Sequence, residues 1–238
     1  MQHEFLTQLS EPVRAFVEEV EEKAQLKIQV LPSVKQNSGG STGRGRLAVE
    51  VEAHRIHILA PTNGYFPDGG VRHEVLHAQR FHIHGVPKLT LAEEADWDQS
   101  FVDALGDLDN AIEHIVIVPV ELHFHPERRE HWETVMEKVC LGLPSVPNIE
   151  RDLAVCMHWT FLRHVLPDSP QVKVLRAFAT AEGSLEKANA FADQLLAAIN
   201  CKEEMVRVLF QNFPYISKER AALEYISSTT GTRQKAIS

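Results

Sequence analysis

Two histidines and a glutamate lie within five consecutive residues, His73-Glu74-Val75-Leu76-His77. In an α-helix, residues that are four apart lie one above the other on the same face. His73 and His77 can therefore direct imidazole nitrogens to one point, which would supply two ligands of a tetrahedral zinc site. Glu74 lies about 100° around the helix from His73, where its carboxylate can take a proton from a water that attacks a carbonyl group. The spacing predicts zinc-dependent hydrolysis with Glu74 as the catalytic base.

The segments before this motif predict the elements that position it. Glu11 to Ala24 has apolar residues at three- and four-residue spacing, which indicates a helix. Apolar and polar residues then alternate in three short segments that are expected to be strands, at residues 26–30, 47–51 and 56–58. The last two are close enough to form a hairpin. A turn-rich stretch from Pro61 to Gly70 leads into a helix expected over residues 71–84, which would carry both histidines and end at Gly85.

Residues 33–46, between the first two predicted strands, are rich in glycine, serine and threonine. The run Gly39-Gly40-Ser41-Thr42-Gly43 has some likeness to a phosphate-binding loop. It lacks the GK[ST] ending of such loops and opens no obvious helix, so a flexible hairpin loop is the favoured interpretation.

The sequence after the motif predicts further helices. Thr90 and Glu93 have the spacing of a capping box, which would begin the next helix there. Gly106 is expected to interrupt that helix. A further helix over residues 110–118 is expected to end or kink near Pro119.

The two parts of the chain differ in composition. Ten of the 13 histidines lie between His54 and His131, whereas the sequence after Leu143 has the pattern of amphipathic helices almost to its end. Residues 229–238 are expected to be frayed. The sequence therefore predicts an α+β protein with a catalytic domain over residues 1–143 and a helical C-terminal domain over residues 144–238.

Residues 11–125 resemble the zincin metallopeptidases, both in the HExxH sequence and in the order of a helix, about three strands, the HExxH helix and a second helix. The resemblance implies a zincin-like fold in which Glu74 is the general base and a third zinc ligand comes from downstream. The metzincin branch is not supported, because its HExxHxxGxxH sequence would need glycine and histidine at the positions of Arg80 and Ile83. The chain is more similar to small bacterial gluzincins, whose third ligand is a glutamate on the following helices.

Four glutamates are candidates for the third ligand, namely Glu93, Glu94, Glu113 and Glu121. Glu113 is favoured, because its surroundings in sequence resemble the buried ligand helix of those gluzincins. An ionised carboxylate among isoleucines and valines also needs a strong partner, such as zinc. Glu94 is the next candidate, whereas Glu93 is expected to serve the capping box. The resulting zinc ligands are His73, His77 and Glu113.

Other polar residues are candidates for supporting roles. His114 and His131 are candidates for stabilising the tetrahedral oxyanion of the reaction, and Tyr65 is an alternative. Asp109 could orient a ligand from the same helix as Glu113. His131 and Tyr65, each taken alone, are more often structural than catalytic. A second metal site would use His82, His84, His123 and His125.

The composition restricts the classes of partner. A net charge of −9 and a pI of about 5.8 argue against nucleic acid, because a phosphate-binding surface needs positive charge. No run approaches the roughly 18 apolar residues of a membrane span, and the N-terminus lacks the pattern of a signal peptide. Cys140, Cys156 and Cys201 are too few and too far apart for a disulfide framework or a CxxC metal pair. These features predict a cytoplasmic protein with no membrane or nucleic-acid partner.

Three functions compete. A zinc metallopeptidase acting on a peptide or protein is favoured, and a strand near the HExxH helix would hold the extended substrate by backbone pairing. A different zinc amidohydrolase, such as a deformylase-like enzyme, ranks lower because the glycine- and cysteine-bearing deformylase motifs are not evident. The long helical C-terminal part motivates a non-catalytic interaction protein with a structural metal site. Glu74 argues against that third function, because a structural site needs no base.

Overall fold

The computed structural model describes residues 1–33 and 46–237, so the loop predicted over residues 33–46 lies almost wholly outside the described residues. Within them the fold is α+β, as predicted, with two small sheets and a larger helical part. The helices are α1 (His3–Leu6), α2 (Glu11–Ala24), α3 (Asp68–His82), α4 (Gln99–Phe124), α5 (Arg129–Gly142), α6 (Asn148–Val165), α7 (Gln171–Ala181), α8 (Leu185–Ala197) and α9 (Lys202–Asn212). The strands are β1 (Ile28–Pro32), β2 (Ala48–Glu52), β3 (Arg55–Ala60), β4 (Lys88–Leu91), β5 (Ala221–Ser227) and β6 (Gly231–Ala236). One sheet has the strand order β1-β3-β2 and the other β4-β5-β6.

The chain forms two compact units, each made of two separate segments. The first unit contains Met1–Lys88 and Glu224–Arg233, and the second contains Leu89–Leu223 and Gln234–Ser238. The division into domains over residues 1–143 and 144–238 stays a prediction.

The first unit is built on the β1-β3-β2 sheet. β1 runs parallel to β3, and β2 and β3 form an antiparallel hairpin in which Val51 lies opposite Ile56. α3 packs against both α2 and β2. The core consists mainly of buried valines and isoleucines, among them Val13, Val17, Val20, Ile28, Ile56, Ile58, Val71 and Val75. The predicted N-terminal helix, the three strands and the hairpin are confirmed, because each places its apolar residues on the face that this core covers.

The predicted helix around the HExxH motif is also confirmed, as α3. It begins at Asp68, directly after the turn-rich stretch. Gly70 lies in its first turn, where an added Cβ atom would be 3.2 Å from Pro67 Cγ and 3.3 Å from Leu47 Cδ1. Glycine therefore permits the first turn of the helix to lie close to the residue that precedes β2.

α4, in the second unit, is one helix of 26 residues. The predicted interruption at Gly106 and break near Pro119 are wrong, since both residues lie inside the helix. Proline in a helix interior costs about 3 kcal/mol, and burial of an apolar face offsets that cost. The buried apolar residues of α4 are Leu105, Ile112, Ile115, Ile117 and Val118. None of the helices in the described part of the chain is both long and apolar enough to cross a membrane.

The start of α4 also differs from the prediction. The capping box at Thr90 and Glu93 is wrong, because Thr90 belongs to β4 and the helix begins later. Asp98 caps α4, and its carboxylate accepts hydrogen bonds from the backbone N–H groups of Ser100 at 3.1 Å and Phe101 at 3.2 Å. β4 is hydrogen-bonded to β5, which lies far along the chain. Pairing between distant segments therefore prevails over the local capping signal.

The C-terminal segment is ordered by the same sheet. The predicted fraying of residues 229–238 is wrong, because β6 occupies residues 231–236 and pairs with β5. The helical pattern predicted after Leu143 is present in α6, α7, α8 and α9.

Candidate metal centre

The HExxH residues lie on buried turns of α3. His73 and His77 are each 6% exposed, and their ring centroids are 5.1 Å apart with ring planes at 81°. Phe81, one turn further, stacks on His77 with centroids 6.3 Å apart. Glu74 is 9% exposed and follows His73 directly. Because the core covers Val75 of the same turns, the packing of α3 fixes the positions from which both imidazoles project.

His114 lies on α4 and contacts a tryptophan whose own position is fixed. The rings of His114 and Trp132 are 5.0 Å apart at 70°. The indole N–H of Trp132 donates to Glu121 Oε2 at 3.0 Å, and Arg128 Nε donates to Glu121 Oε1 at 2.6 Å. Glu121 is fully buried and lies two turns after His114 on α4. Its charge is therefore compensated by Arg128, and the same carboxylate holds the indole that contacts His114.

Three histidines lie close enough together to bind a metal ion. One ring nitrogen from each of His73, His77 and His114 lies within 4.8 Å of the other two. Zn–N bonds of about 2.1 Å in a tetrahedral site place the nitrogens about 3.4 Å apart, a separation that lies within this limit. Imidazole suits zinc, copper, iron and nickel. The donors therefore fit a transition-metal ion without specifying which one.

Glu113, predicted as the third ligand, is not a member of this group of ligand atoms. It shares one face of α4 with Asp109, four residues earlier, and Lys202 Nζ lies 2.9 Å from Glu113 and 2.6 Å from Asp109. The side chains of Glu113 and Lys202 are fully buried. Burial raises the pKa of Asp109, and Lys202 opposes that rise. Lys202 is thus a strong partner of the kind that a buried Glu113 requires. Because it lies 89 residues further along the chain, no local sequence pattern could have predicted this pair.

The remaining candidates lie outside the group of three ligand atoms. His131 contacts Trp132, with ring centroids 5.4 Å apart. Glu94 is exposed, and Tyr65 is 39% exposed. Over residues 1–33 and 46–237 no second group of three metal-binding side chains is found, and His82, His84, His123 and His125 do not form one.

Comparison of the chain with known protein families, with curated proteins and with solved structures gave no match.

Proposed function

We propose that the chain is a metal-dependent peptidase in which His73, His77 and His114 hold a zinc ion and Glu74 is the general base. The observation that carries the proposal is the group of three histidine nitrogens within 4.8 Å of one another, with a buried carboxylate next to one of them in sequence. The third ligand differs from the predicted one, since His114 takes the place of Glu113.

The proposed ligand set leaves a coordination position for reactants. Catalytic zinc sites have three protein ligands and one open position, whereas structural sites are closed by four. A bound zinc ion would polarise a carbonyl group and lower the pKa of a water molecule. Glu74 projects from the helix beside the histidines, so its carboxylate accepts the proton of the attacking water and later returns a proton to the leaving amine.

Trp132 and Glu121 have a positioning role in this proposal. An imidazole that binds a metal must present one nitrogen in a fixed direction, and neighbouring groups set that direction. The edge-on contact with Trp132 limits the rotation of the His114 ring. The hydrogen bond from Trp132 to Glu121 in turn limits the rotation of the indole.

Metal content tests the ligand set. Elemental analysis of protein purified without chelator should give about one zinc per chain for the wild type and for Glu74→Gln. His73→Ala and His114→Ala should lose the metal. His164→Ala is the matched control, because His164 is an exposed histidine on α6, and this variant should retain the metal. A folded wild type that contains no transition metal and takes up none would overturn the proposal.

Peptide cleavage tests the reaction. A peptide mixture prepared from a whole proteome is incubated with zinc-loaded wild type or Glu74→Gln, and new termini are identified by mass spectrometry. The wild type should generate new termini, and Glu74→Gln should generate them about 10²–10⁴-fold more slowly, the usual contribution of a general base. If zinc-loaded wild type cleaves no peptide, the peptidase proposal is wrong and the metal site is structural.

A further inference from the structure

A cleft of about 350 Å³ lies among the helices of the second unit, and none of the three histidines lines it. Its lining combines an indole, two guanidinium groups, one amide and two apolar side chains, from Trp159, Arg163, Pro167, Val172, Arg176 and Asn189. This volume is at the lower end of the range of about 300–1,000 Å³ that small-molecule sites occupy.

The orientation of the Asn189 amide follows from its partner. Trp159 Nε1 donates to Asn189 Oδ1 at 2.9 Å. An indole N–H can only donate, so the atom that receives it must be the amide oxygen. The Nδ2 group of Asn189 then points away from the indole with two N–H donors. No hydrogen bond engages those donors among the residues that the structure describes.

The two arginines supply positive charge beside this amide. The guanidinium of Arg176 lies over the Trp159 ring, 5.6 Å from its centroid, and forms no ion pair within the described part of the chain. Arg163 Nη2 lies 3.0 Å from Asp193 Oδ1. The Asp193 side chain is 68% exposed, so this pair is a weak surface pair and leaves other donors of Arg163 available.

We propose that this cleft binds a small molecule that carries an oxyanion, a carboxylate or a phosphate, on a compact apolar body. Asn189, Arg163 and Arg176 all line this cleft, and guanidinium groups bind carboxylate and phosphate in the same paired geometry. Pro167 and Val172 add apolar lining for the body of the ligand. The two arginines outweigh Asp193 locally, in a chain whose net charge is −9.

The probes are benzoate and phenyl phosphate, with inorganic phosphate as the anion that has no apolar body. Isothermal titration uses the metal-free chain of 238 residues, because a carboxylate would otherwise bind a zinc ion at the proposed histidine site. Repeating the titrations with His73→Ala keeps the result independent of the proposed peptidase function. Benzoate or phenyl phosphate should bind with one site per chain and more tightly than inorganic phosphate. The stronger of the two identifies whether the cleft favours a carboxylate or a phosphate.

Three variants test the residues. Arg176→Gln should weaken binding about 10–100-fold, the usual range of loss for a hydrogen bond to a charged group. Asn189→Asp keeps an oxygen for the Trp159 N–H but replaces the two donors by a negative charge, so it should weaken binding more. Asp193→Asn removes the anion that competes for Arg163 and should strengthen binding. Arg55→Gln, which removes an exposed arginine of the first unit that is paired with Glu52, is the matched control and should change nothing.

Two results would overturn the proposal. One is the lack of saturable binding of either aromatic probe to the folded wild type at millimolar concentration. The other is equal binding to the wild type, Arg176→Gln and Asn189→Asp, which would place the probes elsewhere on the molecule.

Discussion

Glu113 and His114 are neighbours in sequence but project from α4 in directions about 100° apart. Glu113 faces Lys202, together with Asp109. His114 faces Trp132 and has a ring nitrogen close to those of His73 and His77. A shift of one residue along a helix therefore decides which side chain contacts Trp132 and which pairs with Lys202.

The two neighbours should differ strongly in their effect on metal affinity. Loss of a residue that merely supports a ligand reduces metal affinity about 10–100-fold, so loss of the ligand itself should exceed that range. We expect His114→Ala to weaken zinc binding by more than about 100-fold in a chelator competition. Glu113→Gln, which keeps the size of the side chain, should weaken it less. The opposite ranking would restore Glu113 as the third ligand.

Trp132 should have two separable roles. Trp132→Phe keeps an aromatic ring beside His114 but removes the N–H that donates to Glu121. The free energy of unfolding, measured in urea, should therefore fall by about 1–3 kcal/mol. Its zinc affinity should change less than that of Trp132→Ala, which loses the ring as well. Equal zinc affinities for the two variants would show that the ring does not position His114.

The sequence permitted part of the site to be predicted and not the rest, for a physical reason. His73, Glu74 and His77 are related by the geometry of one helix, so their spacing alone places them together. The third histidine comes from a different helix. Only the tertiary fold determines which way residues 113 and 114 face, and the partner of Glu113 is Lys202, which lies far along the chain.

At the scale of elements, Lys202 connects the start of α9 to the middle of α4. It lies within 3 Å of two carboxylates, those of Asp109 and Glu113, and its own side chain is fully buried. Removing one partner of a buried ion pair costs about 3–5 kcal/mol, because it leaves uncompensated charge in the interior.

We therefore expect Lys202→Met to lower the free energy of unfolding by about 3–5 kcal/mol, measured by denaturant titration. Adding Asp109→Asn and Glu113→Gln to Lys202→Met should recover part of that loss, because the interior then holds no uncompensated carboxylate. Lys23→Met, at an exposed pair with Glu19, should have little effect. If the triple variant is no more stable than Lys202→Met alone, the loss comes from packing and not from charge.

α6 contains a histidine that makes stability depend on pH. Burial lowers the pKa of His158 from its ordinary value of 6.5 to about 4. Between these values the unfolded chain binds a proton that the folded chain does not, so the contribution to stability is present above pH 6.5 and is lost as the pH falls towards 4. His158→Gln cannot titrate. In urea unfolding across this range, the wild type should lose stability relative to His158→Gln as the pH falls. If the free energies of unfolding of the wild type and His158→Gln differ by the same amount at every pH, the lowered pKa is contradicted.

The elements that were predicted correctly are those whose signal is local. α2 and the strands β1, β2 and β3 show their periodicity within a few residues, and neighbouring segments bury the faces that this periodicity defines. β4 was missed because its partner β5 lies at the other end of the chain. β6 was missed for a different reason, since its sequence Gly-Thr-Arg-Gln-Lys-Ala is mostly polar and has no buried apolar face. α4 was divided wrongly because Gly106 and Pro119 are local breaking signals, which the burial of a long apolar face outweighs.

For the whole molecule, metal binding should contribute to thermal stability. A ligand that binds only the folded state at 100 times its dissociation constant stabilises that state by about 2.7 kcal/mol. In a chain of this length, 1 kcal/mol corresponds to about 2–4 °C in Tm. We expect removal of zinc to lower the Tm of the wild type by about 5–11 °C and readdition to restore it. His73→Ala should have the same Tm with and without zinc. Equal responses of the two proteins would show that the stabilising metal binds elsewhere.

Ile226 belongs to the core of the first unit, although the 135 residues 89–223 separate its segment from the rest of that unit. On the ribosome, at about 5–20 residues per second, residues 224–233 are made about 7–27 s after residue 88. During that interval the apolar surface that Ile226 covers is open to water, chaperones and proteases. Limited proteolysis of stalled nascent chains of increasing length should therefore show full protection of residues 1–88 only after residue 233 has left the exit tunnel.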